Sequence, residues 1–246
     1  MKIEFIPVSK FAEKFLTPPL PAKKVLPEWY KKMNLLQEGE HNYKICNNGV
    51  PNTTLKACNP FLDSLISGYV ICLSSDFQIT QKKSAVCYDE DKNKKIIEFN
   101  WRTPNSVITD HSKEQHPLLP SPFNGDNSVF KFNNEFIIKT PRGYSTYFFH
   151  PANQHDLPFR LFSGVVDTDS YMSPVHFPFQ LLEIKDGTMI IEKGTPICQF
   201  VPFKRDGWIH TVKRYNDDLV KRENFKYFSR IYRAYKSLHW VKKKFN

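Results

Sequence analysis

The chain has 246 residues, a formal net charge of +10, and aromatic side chains at 15% of its positions. This length and aromatic content favour a folded domain with a sizeable core over a disordered chain. The 18 prolines argue against long helices and favour many turns and edge strands.

The positive charge is concentrated near the C-terminus. Residues 213–246 carry eleven lysines and arginines against three acids, whereas residues 41–212 carry 17 of each sign. The tail is therefore either a solvated basic appendage or a segment that contacts an acidic partner, nucleic acid or a membrane surface.

The cysteines and the N-terminal segment indicate the compartment. Five widely spaced cysteines without a CxxC pair predict reduced thiols rather than disulfides or a zinc site. The chain shows no continuous apolar signal region and no apolar run of about 18 residues. We therefore expect a cytoplasmic protein without a membrane span.

The predicted elements begin with a short strand over residues 2–7. An extended proline-rich connector follows over residues 17–27, and then a short helix over residues 28–33. The next predicted helix is capped by Asn59 and ends at Gly68.

From residue 69 onward, short apolar and aromatic runs alternate with Pro, Gly, Asn and Asp, which predicts a β-meander. Polar loops are expected over residues 34–54 and 102–126, with His111 and His116 of the second loop in solvent. Pro178 inside its run indicates an edge strand or a bulge. The predicted strands span residues 69–73, 78–88, 95–101, 129–132, 135–139, 144–149, 159–167, 175–184, 189–192 and 197–203.

After Asn216 the apolar residues recur in steps of three and four, which predicts an amphipathic helix with basic residues on another face. The whole pattern predicts one mainly-β domain over residues 41–212, with a roll or jelly-roll-like architecture. An extended N-terminal arm with a short helix precedes it over residues 1–40, and the basic C-terminal helix follows over residues 213–246.

Two stretches carry residues that suit chemistry. Asp167 and Asp169 follow the apolar run 164–166, where a carboxylate can act as a general base or hold a metal through water. Both acids can equally serve only to cap a turn. Gln199 lies inside another apolar stretch, KGTPICQFVPF.

A rival set consists of histidines near predicted strands, with one acid beside them. An Fe(II) oxygenase site needs two histidines and a carboxylate, but the pair His155 and Asp156 lacks the one-residue gap that is usual in such enzymes. We therefore expect partly buried or turn histidines. Classical ATPase, hydrolase and zinc-protease motifs are absent. The residues of this set are His150, His155, Asp156, His176 and His210.

Three stretches resemble motifs of the dUTPase and dCTP deaminase superfamily. SGVVDTDSY resembles its third motif and GTPICQFVPF its fourth, in the same order and about 30 residues apart. TPRGYSTYFFHP stands where the second motif, with its phosphate-binding Arg and Ser, belongs. The whole chain more loosely resembles proteins of tailed phages, which implies the host cytoplasm and no particular activity.

The superfamily resemblance implies a β-roll, often a homotrimer, with a nucleotide ligand. It implies that Asp167 orients water or contacts the sugar, that Tyr171 stacks near the sugar, and that Gln199 contacts phosphate or its water. Asp167 is then the candidate catalytic residue.

The remaining ligand-binding candidates come from the same resemblance. Arg142 and Ser145 are the candidate phosphate binders, and Asp169 lies in the third motif beside Asp167. A nucleotide pyrophosphatase of this kind would use Mg²⁺.

Two functional hypotheses remain open. The first is a nucleotide-binding protein, either a nucleotide pyrophosphatase or a catalytically inactive relative. The second is a non-enzymatic phage structural or interaction protein that uses a β-roll as scaffold. A solvent-facing Asp167 in a pocket near Gln199 favours the first hypothesis. An Asp167 spent on its own turn, or a Gln199 buried against backbone, favours the second.

Overall fold

The computed structural model divides into two compact units. The first unit comprises residues 1–20 and 68–205, and the second comprises residues 21–67 and 206–246. These units cut across the predicted segments 1–40, 41–212 and 213–246. The structure describes residues 1–37, 53–83, 95–100, 108–111, 115–116, 118–119, 129–181, 188–228 and 234–246.

Short strands dominate the chain, and the predicted mainly-β fold with a C-terminal helix is confirmed. The helices are α1 (Lys10–Phe15), α2 (Glu28–Lys32), α3 (Asn59–Ile66), α4 (Asp217–Phe228) and α5 (Ala234–Leu238), with 3-10 turns at Ala22–Lys24 and Leu55–Ala57. The strands are β1 (Glu4–Pro7), β2 (Leu20–Pro21), β3 (Tyr69–Cys72), β4 (Phe77–Lys83), β5 (Lys95–Asn100), β6 (Ile108–His111), β7 (Val129–Phe132), β8 (Phe136–Lys139), β9 (Tyr144–Phe149), β10 (Phe159–Leu161), β11 (Gly164–Val166), β12 (Phe177–Leu181), β13 (Thr188–Ile191) and β14 (Pro196–Lys204).

The strands pair in antiparallel sheets. Within the described residues, the five-stranded sheet has the order β11-β9-β14-β3-β2 and the four-stranded sheet the order β10-β12-β7-β6. Strands β13, β4 and β5 form a further sheet, and β1 pairs with β8.

The predicted strand over residues 159–167 is wrong as a single element. The chain leaves the four-stranded sheet after Leu161 and enters the five-stranded sheet at Gly164. Phe162 and Ser163 make this change of sheet. The strand β6 likewise lies inside a stretch predicted as loop, whereas the predicted loop residues 38–52 lie outside the described residues.

Phenylalanines fill the core between the two larger sheets. Phe132 and Phe179 of the four-stranded sheet stack with ring centroids 3.9 Å apart. Phe148 of the five-stranded sheet contacts Phe177 of the four-stranded sheet at 5.6 Å, and Phe200 lies 5.4 Å from Phe148. These rings are at most 2% exposed, and burial of each contributes about 1.5–3 kcal/mol.

Pro178 lies in an interior strand, because β12 is flanked by β10 and β7. Of the two predicted alternatives, an edge strand or a bulge, the edge strand is therefore wrong. Pro178 accepts a hydrogen bond at its carbonyl from the Phe162 N–H at 2.9 Å, one residue beyond the end of β10. Proline has no N–H to donate back to β10. The pairing of β10 with β12 therefore ends at this position.

Local sequence signals fix the helix ends in the first unit and in the tail. Ser9 caps α1, its hydroxyl accepting the Ala12 N–H at 3.0 Å. The Asn216 Oδ1 accepts the Leu219 N–H at 2.9 Å and starts α4 as predicted. Cys58 rather than Asn59 occupies the cap position of α3, so the predicted cap there is wrong by one residue.

The second unit has its own aromatic and polar contacts. Tyr30 and Phe61 lie with ring centroids 6.0 Å apart. The Trp240 indole N–H donates to Asp63 Oδ2 at 2.9 Å, and the Lys243 ammonium lies 3.0 Å from the same oxygen. The C-terminal residues of this unit are thereby held on α3.

The described residues of the tail are helical over α4 and α5, as the sequence predicts for this segment. Residues 229–233, between α4 and α5, lie outside the described residues. The apolar residues Leu219 and Phe225 of α4 are 47% and 73% exposed. Among the described residues, we find no helix both long and apolar enough to cross a membrane.

We expect Gly68→Ala to destabilise the protein by at least about 2 kcal/mol. Gly68 has a φ of +74°, and an added Cβ would lie 2.0 Å from the Phe200 carbonyl oxygen. Chemical denaturation of the purified variant measures this loss.

Gly194→Ala is the matched control, because Gly194 also has a positive φ, +86°, but its Cβ would meet nothing within 4 Å. It should cost only about 1–2 kcal/mol. Equal losses in the two variants would show that the close approach of Gly68 to β14 contributes nothing.

Candidate functional site

Strand pairing brings the candidate residues Ser145 and Asp167 together. β11 pairs with β9 through Val166 and Thr146, and the next residue along each strand is Asp167 and Ser145. The Ser145 hydroxyl, on a residue that is 1% exposed, donates to Asp167 Oδ1 at 2.6 Å. One side of the Asp167 carboxylate is therefore fixed to the sheet.

The turn after β11 is held by backbone bonds to Asp167. Its carbonyl accepts the N–H groups of Ser170 at 3.1 Å and Tyr171 at 2.9 Å. The Asp167 backbone is thus spent on the turn, as the capping alternative predicts, while its carboxylate is not.

A buried hydroxyl cluster fixes the same turn from below. Thr168 is fully buried, and its Oγ1 lies 2.8 Å from Thr140 Oγ1 and 2.7 Å from Thr146 Oγ1. The Thr140 N–H also donates to the Thr168 carbonyl at 3.2 Å. With Thr168 anchored inward, its two neighbours are presented on the opposite side, where Arg205 lies.

Arg205, at the end of β14, joins both carboxylates. Its Nη1 lies 3.1 Å from Asp167 Oδ1 and 2.9 Å from Asp169 Oδ1, and its Nη2 lies 2.5 Å from Asp169 Oδ2. The same Nη1 lies 3.2 Å from the Ser145 hydroxyl oxygen. We call Ser145, Asp167, Asp169 and Arg205 the Asp–Arg cluster.

The two aspartates have different environments. The Asp169 side chain is 5% exposed, and its Oδ2 also accepts the Gly143 N–H at 2.8 Å. The hydrogen bonds from Arg205 and then from Gly143 lower the pKa of the Asp169 carboxyl to about 2. Both oxygens of Asp169 are thus engaged by hydrogen bonds from Arg205 and Gly143.

Asp167 is the exposed carboxylate of the pair. Its side chain is 63% exposed. Oδ1 is held by Ser145 and Arg205, and within the described residues no hydrogen bond reaches Oδ2. The cluster therefore presents one oriented carboxylate oxygen to solvent.

Two other candidate residues, Arg142 and Tyr171, are exposed. Arg142 lies in a tight turn in which the Tyr144 N–H donates to the Pro141 carbonyl at 3.2 Å. Gly143 supplies the φ of +86° that this turn requires. The Arg142 side chain makes no hydrogen bond or ion pair with the described residues, and Tyr171 is 46% exposed.

Gln199 lies elsewhere on the five-stranded sheet. It pairs with Phe149, whereas Ser145 pairs with Phe203, four residues further along β14. Four strand residues span roughly 13 Å. Gln199 is 2% exposed, and its Oε1 accepts the Ala152 N–H at 2.9 Å. The structure does not bring Gln199 to Asp167.

Two histidines of the rival set, His150 and His176, are engaged with backbone, whereas His155 and His210 are exposed. The Leu161 N–H donates to His150 Nδ1 at 3.3 Å and the Asn134 N–H to His176 Nδ1 at 3.2 Å. Burial lowers the pKa of both imidazoles. Within the described ranges, no group of three or more His, Cys, Asp or Glu residues is placed to hold a metal.

The described cysteines carry free thiols, as the sequence predicts. Burial raises the pKa of the Cys72 thiol to about 11 and also raises that of Cys198. Neither thiol is activated as a nucleophile.

Sequence reasoning missed Arg205, which holds the cluster together. Asp169 lies 36 residues away along the chain, and a basic residue after an apolar strand is an ordinary solubilising feature. The signal that could have found it is the pairing of β14 with β9. That register carries Arg205 to the turn at Gly143, where its N–H donates to the Gly143 carbonyl at 2.9 Å.

Comparisons with known proteins give remote structural similarity. No protein-family model and no curated protein matches the chain. A dUTPase from phage phi11 of S. aureus aligns with a TM-score of 0.34 and 10% identity, covering 88% of this chain and 98% of that chain. The dUTPase of Staphylococcus bacteriophage 80alpha, with dUpNHpp, aligns with a TM-score of 0.33 and 11% identity, covering 88% and 89%.

These two structures are phage dUTPases, and the three sequence motifs resemble motifs of the superfamily that includes dUTPases. TM-scores near 0.3 indicate a remote similarity and give no positions for site residues.

We expect Asp169→Asn to lower the free energy of unfolding at neutral pH, because the neutral amide cannot form an ion pair with Arg205. The pKa of Asp169 falls from 3.8 to about 2 on folding. Its stabilising effect is therefore complete well above pH 3.8 and is lost as the pH falls through about 2. Urea unfolding of both proteins across this pH range should show a difference that shrinks on acidification.

The exposed Asp156 provides the control variant, Asp156→Asn, on another loop of the same unit. It should unfold like the wild type throughout. A difference for Asp169→Asn that stays constant down to pH 2 would contradict a charge-based role for this carboxylate.

Proposed function

We propose that this chain binds a nucleotide on the turn that begins at Asp167. The observation that carries the proposal is the Asp167 carboxylate. One oxygen is fixed by Ser145 and Arg205, and the side chain is 63% exposed. The exposed Tyr171 is tied to the same turn by its N–H, and the exposed Arg142 precedes Gly143, which donates to Asp169. The oriented Asp167 acceptor suits a sugar hydroxyl or a water molecule.

The neighbouring residues have roles that follow from their exposure. The Tyr171 ring offers an apolar face against which a sugar can pack. The Arg142 guanidinium offers a charge for a phosphate group. Ser145 is buried and already donates to Asp167, so in this proposal it positions the carboxylate and does not bind phosphate.

Arg205 and Asp169 support the site from behind. Arg205 lies between two carboxylates and holds Oδ1 of Asp167 in place. Asp169 has both oxygens engaged, which leaves it no free acceptor for a ligand. We therefore assign Asp169 to the frame of the site.

A Mg²⁺ ion fits this site only if the phosphates of a bound nucleotide supply further ligands. Asp167 supplies one exposed carboxylate, and Mg²⁺ is commonly held by one or two carboxylates together with substrate phosphates. When bound, the ion would neutralise phosphate charge. The protein's own contribution is the oriented Asp167 oxygen and the charge of Arg142. Whether the bound nucleotide is hydrolysed separates a pyrophosphatase from an inactive relative.

A second candidate function is supported by the position of Gln199. The resemblance places Gln199 at phosphate, but its amide oxygen is used by the Ala152 backbone inside the first unit. That observation favours a non-enzymatic phage structural or interaction protein built on the same scaffold. A turnover assay with dUTP and other nucleoside triphosphates, run after binding is measured, distinguishes the two.

We expect a matching nucleotide to raise the thermal transition of the purified protein. At one hundred times its dissociation constant, a ligand stabilises by about 2.7 kcal/mol, or roughly 5–10 °C for a chain of this size. Asp167→Asn should remove most of this shift, because the amide presents an N–H or a weaker acceptor. Differential scanning fluorimetry against a nucleotide panel, with and without Mg²⁺, measures it.

Asp156→Asn is again the matched control, since it removes an exposed carboxylate at a distant loop, and it should keep the full shift. Arg142→Gln should weaken the binding of nucleoside triphosphates more than the binding of nucleosides, because it removes the charge proposed to contact phosphate. The absence of a shift with every nucleotide would overturn nucleotide binding and leave the scaffold function.

A further inference from the structure

The four-stranded sheet carries a pocket on the face opposite its phenylalanine core. Phe177 and Phe179 of β12 point into the core, so the alternating Pro178 lies on the other face. The pocket has a volume of about 290 Å³. It is lined by Gln115, His116, Leu119, Val129, Phe162 and Pro178.

Two buried polar atoms without partners belong to this region. The His116 Nε2 and the Gln180 Nε2 are buried and have no hydrogen-bond partner among the described residues. His116 lines the pocket on the sheet. The prediction that this histidine is in solvent is therefore wrong for its Nε2 atom, which is buried.

Gln180 does not itself line the pocket but lies on the same face of the sheet, behind the lining residues Val129 and Pro178. It is two residues after Pro178 on β12, and hence on the same face. The register that pairs Phe179 with Phe130 places Gln180 opposite the lining residue Val129. Gln180 is 4% exposed, and an amide N–H₂ group buried there without an acceptor is unusual in folded proteins.

The lining sets the chemistry of an occupant. Leu119, Val129, Phe162 and Pro178 form apolar walls, which is the ordinary composition of a small-molecule site with a few polar groups. An apolar cavity of about 150 Å³ holds benzene, so the larger pocket here accommodates a substituted or fused ring. The Gln180 amide offers a donor, and the His116 ring nitrogen can donate or accept.

We propose that this pocket binds a small, uncharged aromatic or cyclic molecule that carries a hydrogen-bond acceptor such as a carbonyl. The ring fills the apolar space, and the acceptor takes the Gln180 N–H, which is otherwise unsatisfied. This site is on the four-stranded sheet, whereas Asp167 follows a strand of the five-stranded sheet. The inference is therefore independent of the proposed nucleotide site.

Ordered water is the competing occupant. A buried water needs two to four polar partners, whereas the walls that line this pocket are mainly apolar. Water would satisfy His116 and Gln180 without discriminating among aromatic probes, so probe binding separates the two occupants.

Benzamide is a suitable probe, with toluene as its acceptor-free counterpart. We expect saturable benzamide binding to the full chain in saturation-transfer NMR, and weaker binding of toluene. Gln180→Leu should weaken the affinity for benzamide about tenfold and leave the affinity for toluene unchanged. The substitution removes one hydrogen-bond donor without opening space. Its thermal transition should not fall, since no bonded group is lost.

Two adjacent loop residues give a matched test of the pocket itself. Leu119 lines the pocket, whereas Leu118 is 93% exposed and does not. Leu119→Trp should fill the space and abolish benzamide binding, and Leu118→Trp should bind as the wild type does. Asp167→Asn should also bind normally.

Three results would overturn the proposal. The first is no saturable binding of either probe, which leaves water as the occupant. The second is equal binding by the Leu119→Trp and Leu118→Trp proteins, which places the probe elsewhere. The third is an unchanged benzamide affinity in Gln180→Leu, which removes the assigned acceptor contact.

Discussion

The guanidinium group of Arg205 holds together two carboxylates that lie two positions apart in the sequence. Without a cation between them, Asp167 and Asp169 would repel each other on one tight turn. Arg205 binds Asp169 through two nitrogens and reaches Asp167 through one of them. This planar, two-nitrogen contact is one that lysine cannot reproduce. Since its backbone also binds Gly143, the same residue ties the third candidate motif to the second.

Much of the fold follows from local sequence pattern, and the rest depends on which sheet each strand joins. The predicted strand over residues 144–149 has the bounds of β9, because the turn at Gly143 fixes its start. The two strands β10 and β11 were merged in prediction, because an apolar run looks the same whether or not the chain changes sheets. Pro178 shows the same limit. Its position is tolerated only because a neighbouring strand is short, which no local pattern reveals.

The candidate site could be predicted only where its residues lie in local sequence motifs. Asp167, Ser145 and Tyr171 come from motifs that are local in sequence. In the structure, Ser145 donates to the Asp167 carboxylate and the Tyr171 N–H donates to the Asp167 carbonyl. Arg205 could not be predicted, because its contacts depend on register between distant strands. Gln199 was expected at the ligand, but a polar side chain inside an apolar strand is equally satisfied by a nearby backbone N–H.

Arg205 is also the last residue of the first unit, which restricts how that unit can be separated from the rest of the chain. A polypeptide ending at residue 205 would carry its terminal carboxylate on the residue whose guanidinium holds Asp167 and Asp169. That new anion would compete for the same N–H groups and would attract the guanidinium away from the turn. The compact first unit ends at Arg205, but a polypeptide that keeps the contacts of the Asp–Arg cluster has to extend beyond that residue.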